Sequence, residues 1–181
     1  ALRSMPNYTV FRPCDTRETA AGWLAGLLRT TSPTALVLTR QNLPLLDGTG
    51  KEALKGAYIL RDCEGTPDVL LMASGSEVEL IYKAYDELAQ KGIKARVISM
   101  PSFELFEEQS EEYKESVLPN VVRKRVAVEA ASSFGWHKYV GLDGATITMD
   151  HFGASAPAGT LFQEFGFTVE NVVQTAVNLL S

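Results

Sequence analysis

The spacing of apolar positions changes period twice within the first forty residues. A short β-prone stretch from Tyr8 to Phe11 ends at Arg12-Pro13, because proline has no N–H with which to continue a central strand. Asp15 then precedes Thr16-Arg17-Glu18, a side-chain cap with a glutamate three positions on, and Ala20, Leu24, Leu27 and Leu28 recur at helical spacing. The pattern predicts a helix over 16–29 with those four residues as its buried stripe. Ser32-Pro33 breaks it, and Thr34-Ala35-Leu36-Val37-Leu38 is a nearly continuous apolar run of the kind shown by a strand buried on both faces. Together these residues read as a βαβ unit.

One βαβ unit buries a single helix face and little else. Residues 1–50 are therefore expected to be the remnant of a larger domain, and the opening on Ala1, without an initiator Met, suits a piece of a longer protein. Between Leu43 and Gly56, Pro44, Gly48 and Gly50 mark a linker. A fresh α/β series follows, with strands predicted over 58–60, 68–73, 95–100, 125–129 and 145–149. Helices are predicted over 76–91, 103–109, 110–117, 134–140, 158–165 and 169–180. In the first of these, Ser76 and Glu79 form a capping box, Ile81, Tyr85 and Leu88 make the apolar stripe, and Gly92 stops it. Helices between apolar strands imply crossover connections. The expected fold is α/β: a doubly wound, mostly parallel five-stranded sheet with helices on both faces, occupying 51–181 and preceded by the partial βαβ unit.

Composition narrows the function. With 45% apolar and 22% charged residues in 181, the chain is neither disordered nor fibrous. A net charge of -5 with scattered cations argues against nucleic acid and against a polybasic membrane patch. The first residues lack the apolar core of a signal peptide and no apolar run reaches membrane-span length, so a cytoplasmic location is expected. Cys14 and Cys63 stand apart, with only His137 and His151 besides, and no metal-ligand spacing forms.

Four places carry candidate chemistry. Ser74-Gly75-Ser76 follows a strand and opens a helix, where backbone N–H groups can hold a phosphate. The glycine patterns of phosphate-binding loops are absent, and a self-capped turn explains it as well. A serine with His137 or His151 and Asp150 supplies the residue types of a hydrolytic triad without the Gly-x-Ser-x-Gly elbow. His137 fits better among its aromatic neighbours at a domain or subunit contact, and His151 in a loop. Arg40 lies just past the carboxyl end of its strand, where open α/β sheets place ligands. Its planar fork suits a phosphate, although an exposed strand-end arginine would look the same. Asp15, at the same sheet edge, is accounted for by capping.

The motifs resemble those of the transketolase family along essentially the whole chain. Arg12-Pro13-Cys14-Asp15 and Thr39-Arg40-Gln41-Asn42-Leu43-Pro44 look like elements of its pyrimidine-binding domain. Ala73-Ser74-Gly75-Ser76-Glu77-Val78, Val97-Ile98-Ser99-Met100-Pro101-Ser102, Glu115-Ser116-Val117-Leu118-Pro119, Phe152-Gly153-Ala154-Ser155-Ala156-Pro157 and Phe165-Gly166-Phe167-Thr168-Val169-Glu170-Asn171 are similar to landmarks of its C-terminal domain.

The resemblance implies that 1–50 is the end of the thiamine diphosphate pyrimidine-binding domain plus linker, and 51–181 the C-terminal domain. It implies a homodimeric thiamine diphosphate enzyme with a divalent metal such as Mg, moving a two-carbon ketol unit between sugar phosphates. The cofactor and metal sites of that enzyme are expected before Ala1, and this chain by itself is expected to be inactive and to bind neither. Of the family's functional residues only Arg40, the clamp on the substrate phosphate, is implied here. Self-association is expected, with aromatic residues near Trp136 and Tyr139 contributing. The alternatives are an independent binding, regulatory or dimerisation module, or a related thiamine enzyme such as deoxyxylulose phosphate synthase or the β part of the ketoacid dehydrogenases.

Overall fold

A computed structural model describes residues 1–181. Near the N-terminus, strands β1 (Thr9–Phe11) and β2 (Thr34–Leu36) pair in parallel, Phe11 opposite Leu36. Helix α1 (Thr16–Leu28) connects them, capped by the Asp15 carboxylate, which accepts from the Glu18 N–H at 2.9 Å.

The buried face of α1 differs from the periodicity. The helix buries Glu18, Ala21, Gly22 and Ala25, whereas Leu24, Leu27 and Leu28 point outward and Ala20 is exposed. Close approach is the reason: a Cβ on Gly22 would lie 2.7 Å from the Phe11 ring and 2.8 Å from Leu36. Only small residues fit where the helix meets its strands. The second strand also falls short of expectation. It spans three residues, and Val37 and Leu38 are 39% and 55% exposed, because β2 has one sheet neighbour and no layer over its other face.

The second sheet comprises β3 (Tyr58–Arg61), β4 (Val69–Ala73), β5 (Ala95–Ser99), β6 (Arg125–Val128) and β7 (Ala145–Ile147). Their order is β3-β5-β4-β6-β7, parallel throughout except for β3, which runs antiparallel along β5 at one edge. The helices are α2 (Val78–Gln90), α3 (Phe103–Glu107), α4 (Glu111–Val117), α5 (His137–Val140), α6 (Ala158–Glu164) and α7 (Val169–Leu180). Residues Val69, Leu71 and Ala73 of β4 face α2 and α7, joining Ile81, Leu88, Val172 and Ala176. Leu70 and Met72 face the other way, against Phe103, Phe106, Val117 and Trp136 of the α3–α5 side. This alternation, with all of β4 buried, is the expected doubly wound arrangement. Phe11, Cys14, Ala21 and Ala25 belong to the same apolar cluster as Leu71 and Val97, so the small sheet packs against the large one.

Two further expectations are corrected. Ser76 does not cap α2: a 3-10 turn, Gly75–Glu77, precedes the helix, and the Ser76 hydroxyl donates to the Glu77 carboxylate at 2.5 Å. The helix expected from residue 134 begins at His137, since Gly135 has φ +92°, a left-handed conformation outside a helix. Trp136 and Tyr139 pack on Phe103 with ring centroids 4.8 and 5.0 Å away. Both are buried in the core of this chain, and Phe134 beside them is exposed.

Candidate functional site at the carboxyl edges of the two sheets

Arg40 lies four residues beyond β2, exposed at the carboxyl edge of the small sheet. It is the one charged side chain on a groove of about 550 Å³, facing Ala156, Ala158 and Leu161 at the start of α6. No carboxylate competes for the guanidinium there, and an anion would meet an unpaired cation. A second cavity of about 480 Å³ lies beside it, lined by Thr16, Thr19, Gln41 and Asn42 among others. The turn is held lightly: the Val37 N–H donates to the Phe11 carbonyl at 2.9 Å, and the Gln41 N–H reaches the Thr39 hydroxyl at 3.5 Å.

Asp15 borders that second cavity with its carboxylate already engaged. One oxygen caps α1, and the other accepts from the Thr49 hydroxyl at 2.6 Å and the Leu46 N–H at 3.3 Å. The capping reading therefore holds, with the linker tied to the same group. Below it Glu18 is fully buried, accepting from the Tyr58 and Ser99 hydroxyls at 2.7 and 2.5 Å and from the Cys14 N–H at 2.7 Å. Burial pushes the Glu18 carboxyl above the usual range, and these donors only partly offset it.

Between the two sheets lies a charge cluster that the sequence pattern did not reveal. Glu129, just after β6, takes two bonds from Arg3 at 2.6 and 2.7 Å, one from the Ser74 hydroxyl at 2.5 Å and one from the Trp136 ring N–H at 2.8 Å. Burial raises the Glu129 carboxyl, but Arg3, Arg12 and Ser74 outweigh it and leave it below the ordinary range. Glu77 accepts from Arg12 at 2.5 Å and from the Ala130 N–H at 2.9 Å. The Ser74-Gly75-Ser76 turn is consumed here: both hydroxyls serve carboxylates and the Gly75 N–H donates to the Arg12 carbonyl. Two carboxylates where a phosphate would sit exclude the anion-binding reading of this turn. Arg12 was visible in the sequence as part of a motif. Glu77 stood in the Ala73–Val78 motif without a sign of its partner, and Glu129 and Arg3 carried no local signal, since each is an isolated charge in its segment.

No triad assembles. Asp150 accepts from the Ser132 hydroxyl and the Ser133 N–H, both at 2.9 Å, and the latter bond leads those that hold its carboxyl below the usual range. His151 lies against Phe165, 5.1 Å between ring centroids, and His137 is exposed on α5. No three His, Cys, Asp or Glu side chains converge as metal ligands, and no helix is long and apolar enough to cross a membrane.

Comparison with known proteins agrees with the fold and with the motifs. Residues 56–168 match the family described as the transketolase-like TK C-terminal domain. Transketolase from Bacillus subtilis is 53% identical over 186 residues, covering 100% of this chain and 28% of its own length. Transketolase 1 from Escherichia coli is 51% identical, covering 99% and 28%. Among solved structures, transketolase from Leishmania mexicana superposes with a TM-score of 0.93 at 44% identity, over 99% of this chain and 26% of that one. A Pichia stipitis transketolase in complex with sedoheptulose-7-phosphate gives 0.92 at 42%, over 98% and 26%. The chain thus spans about a quarter of the length of these relatives. Identity of about half, extended over both sheets, is shared ancestry of the whole segment and not of one motif, and this chain belongs to the transketolase family.

Proposed function

We propose that the chain serves as the C-terminal part of a thiamine diphosphate-dependent transketolase, which moves a two-carbon ketol unit from a ketose phosphate to an aldose phosphate. In this reading 1–50 completes the pyrimidine-binding domain and 51–181 is the C-terminal domain. The enzyme would be a cytoplasmic homodimer, as the family resemblance implies.

The observation that carries the reading is the exposed, unpaired guanidinium of Arg40 in a groove without carboxylates, in a chain about half identical to transketolases. Its planar fork is suited to two parallel bonds to phosphate oxygens, fixing the far end of the sugar while the reacting carbons stay with the cofactor. The residues present do not form a cofactor site. No metal-ligand cluster exists, and the hydroxyls of the Ser74-Gly75-Ser76 turn are spent on Glu129 and Glu77. Thiamine diphosphate and its divalent metal are therefore assigned to the rest of the enzyme.

An independent module over 51–181 is disfavoured, because the buried Glu77 and Glu129 take their cations from Arg12 and Arg3. The test is kinetic. In a full-length transketolase carrying this sequence, Arg40→Ala should weaken phosphorylated substrates and hardly affect unphosphorylated ones. Equal losses on a matched pair of sugars would make Arg40 structural.

A further inference from the structure

We propose that Arg12 is a positioning residue, holding the turn that carries Arg40 in register with the ends of the large sheet and thereby setting affinity for the phosphate end of the substrate. This rests on the reading of Arg40 as a phosphate clamp. Arg12 lies immediately after β1 and reaches the ends of three strands of the other sheet. Its N–H donates to the Pro101 carbonyl at 2.8 Å, beyond β5, and its own carbonyl accepts from the Gly75 N–H at 3.0 Å, beyond β4. Its guanidinium donates to the Ser74 carbonyl and to Glu77, each at 2.5 Å. Glu77 in turn accepts from the Ala130 N–H at 2.9 Å, beyond β6.

The side chain is 16% exposed and that of Glu77 not at all, so water competes little for the pair. The space is made for it. Gly75 has φ +59°, and a Cβ there would come 2.4 Å from the Arg12 guanidinium.

The adjoining residue completes the path. The Phe11 carbonyl accepts from the Val37 N–H, the last ladder bond before the exposed run Leu38, Thr39, Arg40. Arg40 has few other ties, so its place opposite Ala156 and Ala158 of the groove is inherited through Phe11 and Arg12. A two-pronged phosphate contact tolerates little displacement, and a clamp on so lightly held a turn needs this anchor. The Arg-Pro-x-Asp element thereby acquires a physical role: Arg12 docks the strand ends, while Asp15 holds the helix start and the linker.

The test uses a full-length transketolase carrying this sequence, with Arg12→Lys, Arg12→Ala, Arg40→Ala and the double substitutions. Each is assayed on phosphorylated and unphosphorylated acceptor sugars and checked by thermal unfolding. Arg12→Lys keeps the charge but loses the fork. It should reduce kcat/KM for the phosphorylated sugar about three- to thirtyfold, chiefly through KM, with a smaller effect on the unphosphorylated one. In the Arg40→Ala background the same change should cause little further loss. Equal losses on both sugars, or losses that multiply fully in the double variant, would reduce Arg12 to a stabilising contact and overturn the proposal. Should Arg12→Ala not fold, Arg12→Lys decides alone. If Arg40→Ala itself spares discrimination between the sugars, the clamp reading fails and this proposal with it. A selective Arg40→Ala beside a non-selective Arg12→Lys defeats the positioning role only.

Discussion

Arg3 and Glu129 are 126 residues apart in sequence and meet through two bonds of 2.6 and 2.7 Å, with the carboxylate fully buried and the guanidinium 13% exposed. Removing one partner of such a pair leaves an uncompensated buried charge, so Arg3→Met is expected to cost about 3 to 5 kcal/mol in urea unfolding at neutral pH. A loss below about 1 kcal/mol, the range of exposed pairs, would mean that water reaches Glu129.

The same pair sets an acid limit. Burial alone would raise the Glu129 carboxyl, but Arg3 and its other partners hold it below the ordinary range. A depressed carboxyl contributes stability above its unfolded pKa, about 4.3, and that contribution is lost as pH falls through the lower folded value. The stability difference between the native sequence and Glu129→Gln should therefore be full at neutral pH and shrink below about pH 4. A difference that stays constant down to the acid transition would show that the pair is not what titrates.

Gly56 tests the docking of the linker. Its φ is +83°, and a Cβ there would lie 2.2 Å from the Phe106 nitrogen and 2.4 Å from the Ser102 carbonyl oxygen, both backbone atoms that cannot swing aside. Gly56→Ala is expected to destabilise by about 3 kcal/mol or more. Gly159→Ala in α6, where nothing lies within 4 Å, should be neutral or stabilising by about 0.5 kcal/mol. Thermal melts of the two variants separate the cases, and equal melting temperatures would refute the steric account.

The outer face of α1 is the surface expected to drive association. Trp23, Leu24, Leu27 and Leu28 are 59, 45, 75 and 68% exposed, an apolar patch uncommon on monomers. This chain alone should gain mass with concentration in light scattering, and Leu27→Lys with Leu28→Lys should return it toward 19.8 kDa. A native chain that stays at that mass throughout would count against dimerisation.

The cysteines differ in access. Cys14 is buried and its thiol is pushed far up by burial and then by Glu18, whereas Cys63 is partly exposed and raised less strongly, first by burial and then by Asp62. Since the thiolate is the nucleophile, iodoacetamide near pH 8 should label Cys63 slowly and Cys14 only after denaturation, as peptide mass spectrometry would show. Labelling of native Cys14 at the Cys63 rate would contradict its burial.

The sequence by itself determined the elements whose cause is local. The Val- and Leu-rich runs of β4, β5 and β6, the Asp15 cap of α1 and the stripe of Ile81 and Leu88 all depend on neighbours a few residues away. Arg40 at a strand end was legible for the same reason. Tertiary structure decided what depends on distant atoms. The buried face of α1 is chosen by the fit of Gly22 against Phe11 and Leu36, which no periodicity encodes, so the leucine stripe misled. The arginines that pair with Glu77 and Glu129 lie 65 and 126 residues away, and no local spacing links charges so far apart. Burial of those carboxylates becomes tolerable only once the fold brings the arginines to them, because an unpaired charge inside a protein costs more than the surrounding apolar contacts return.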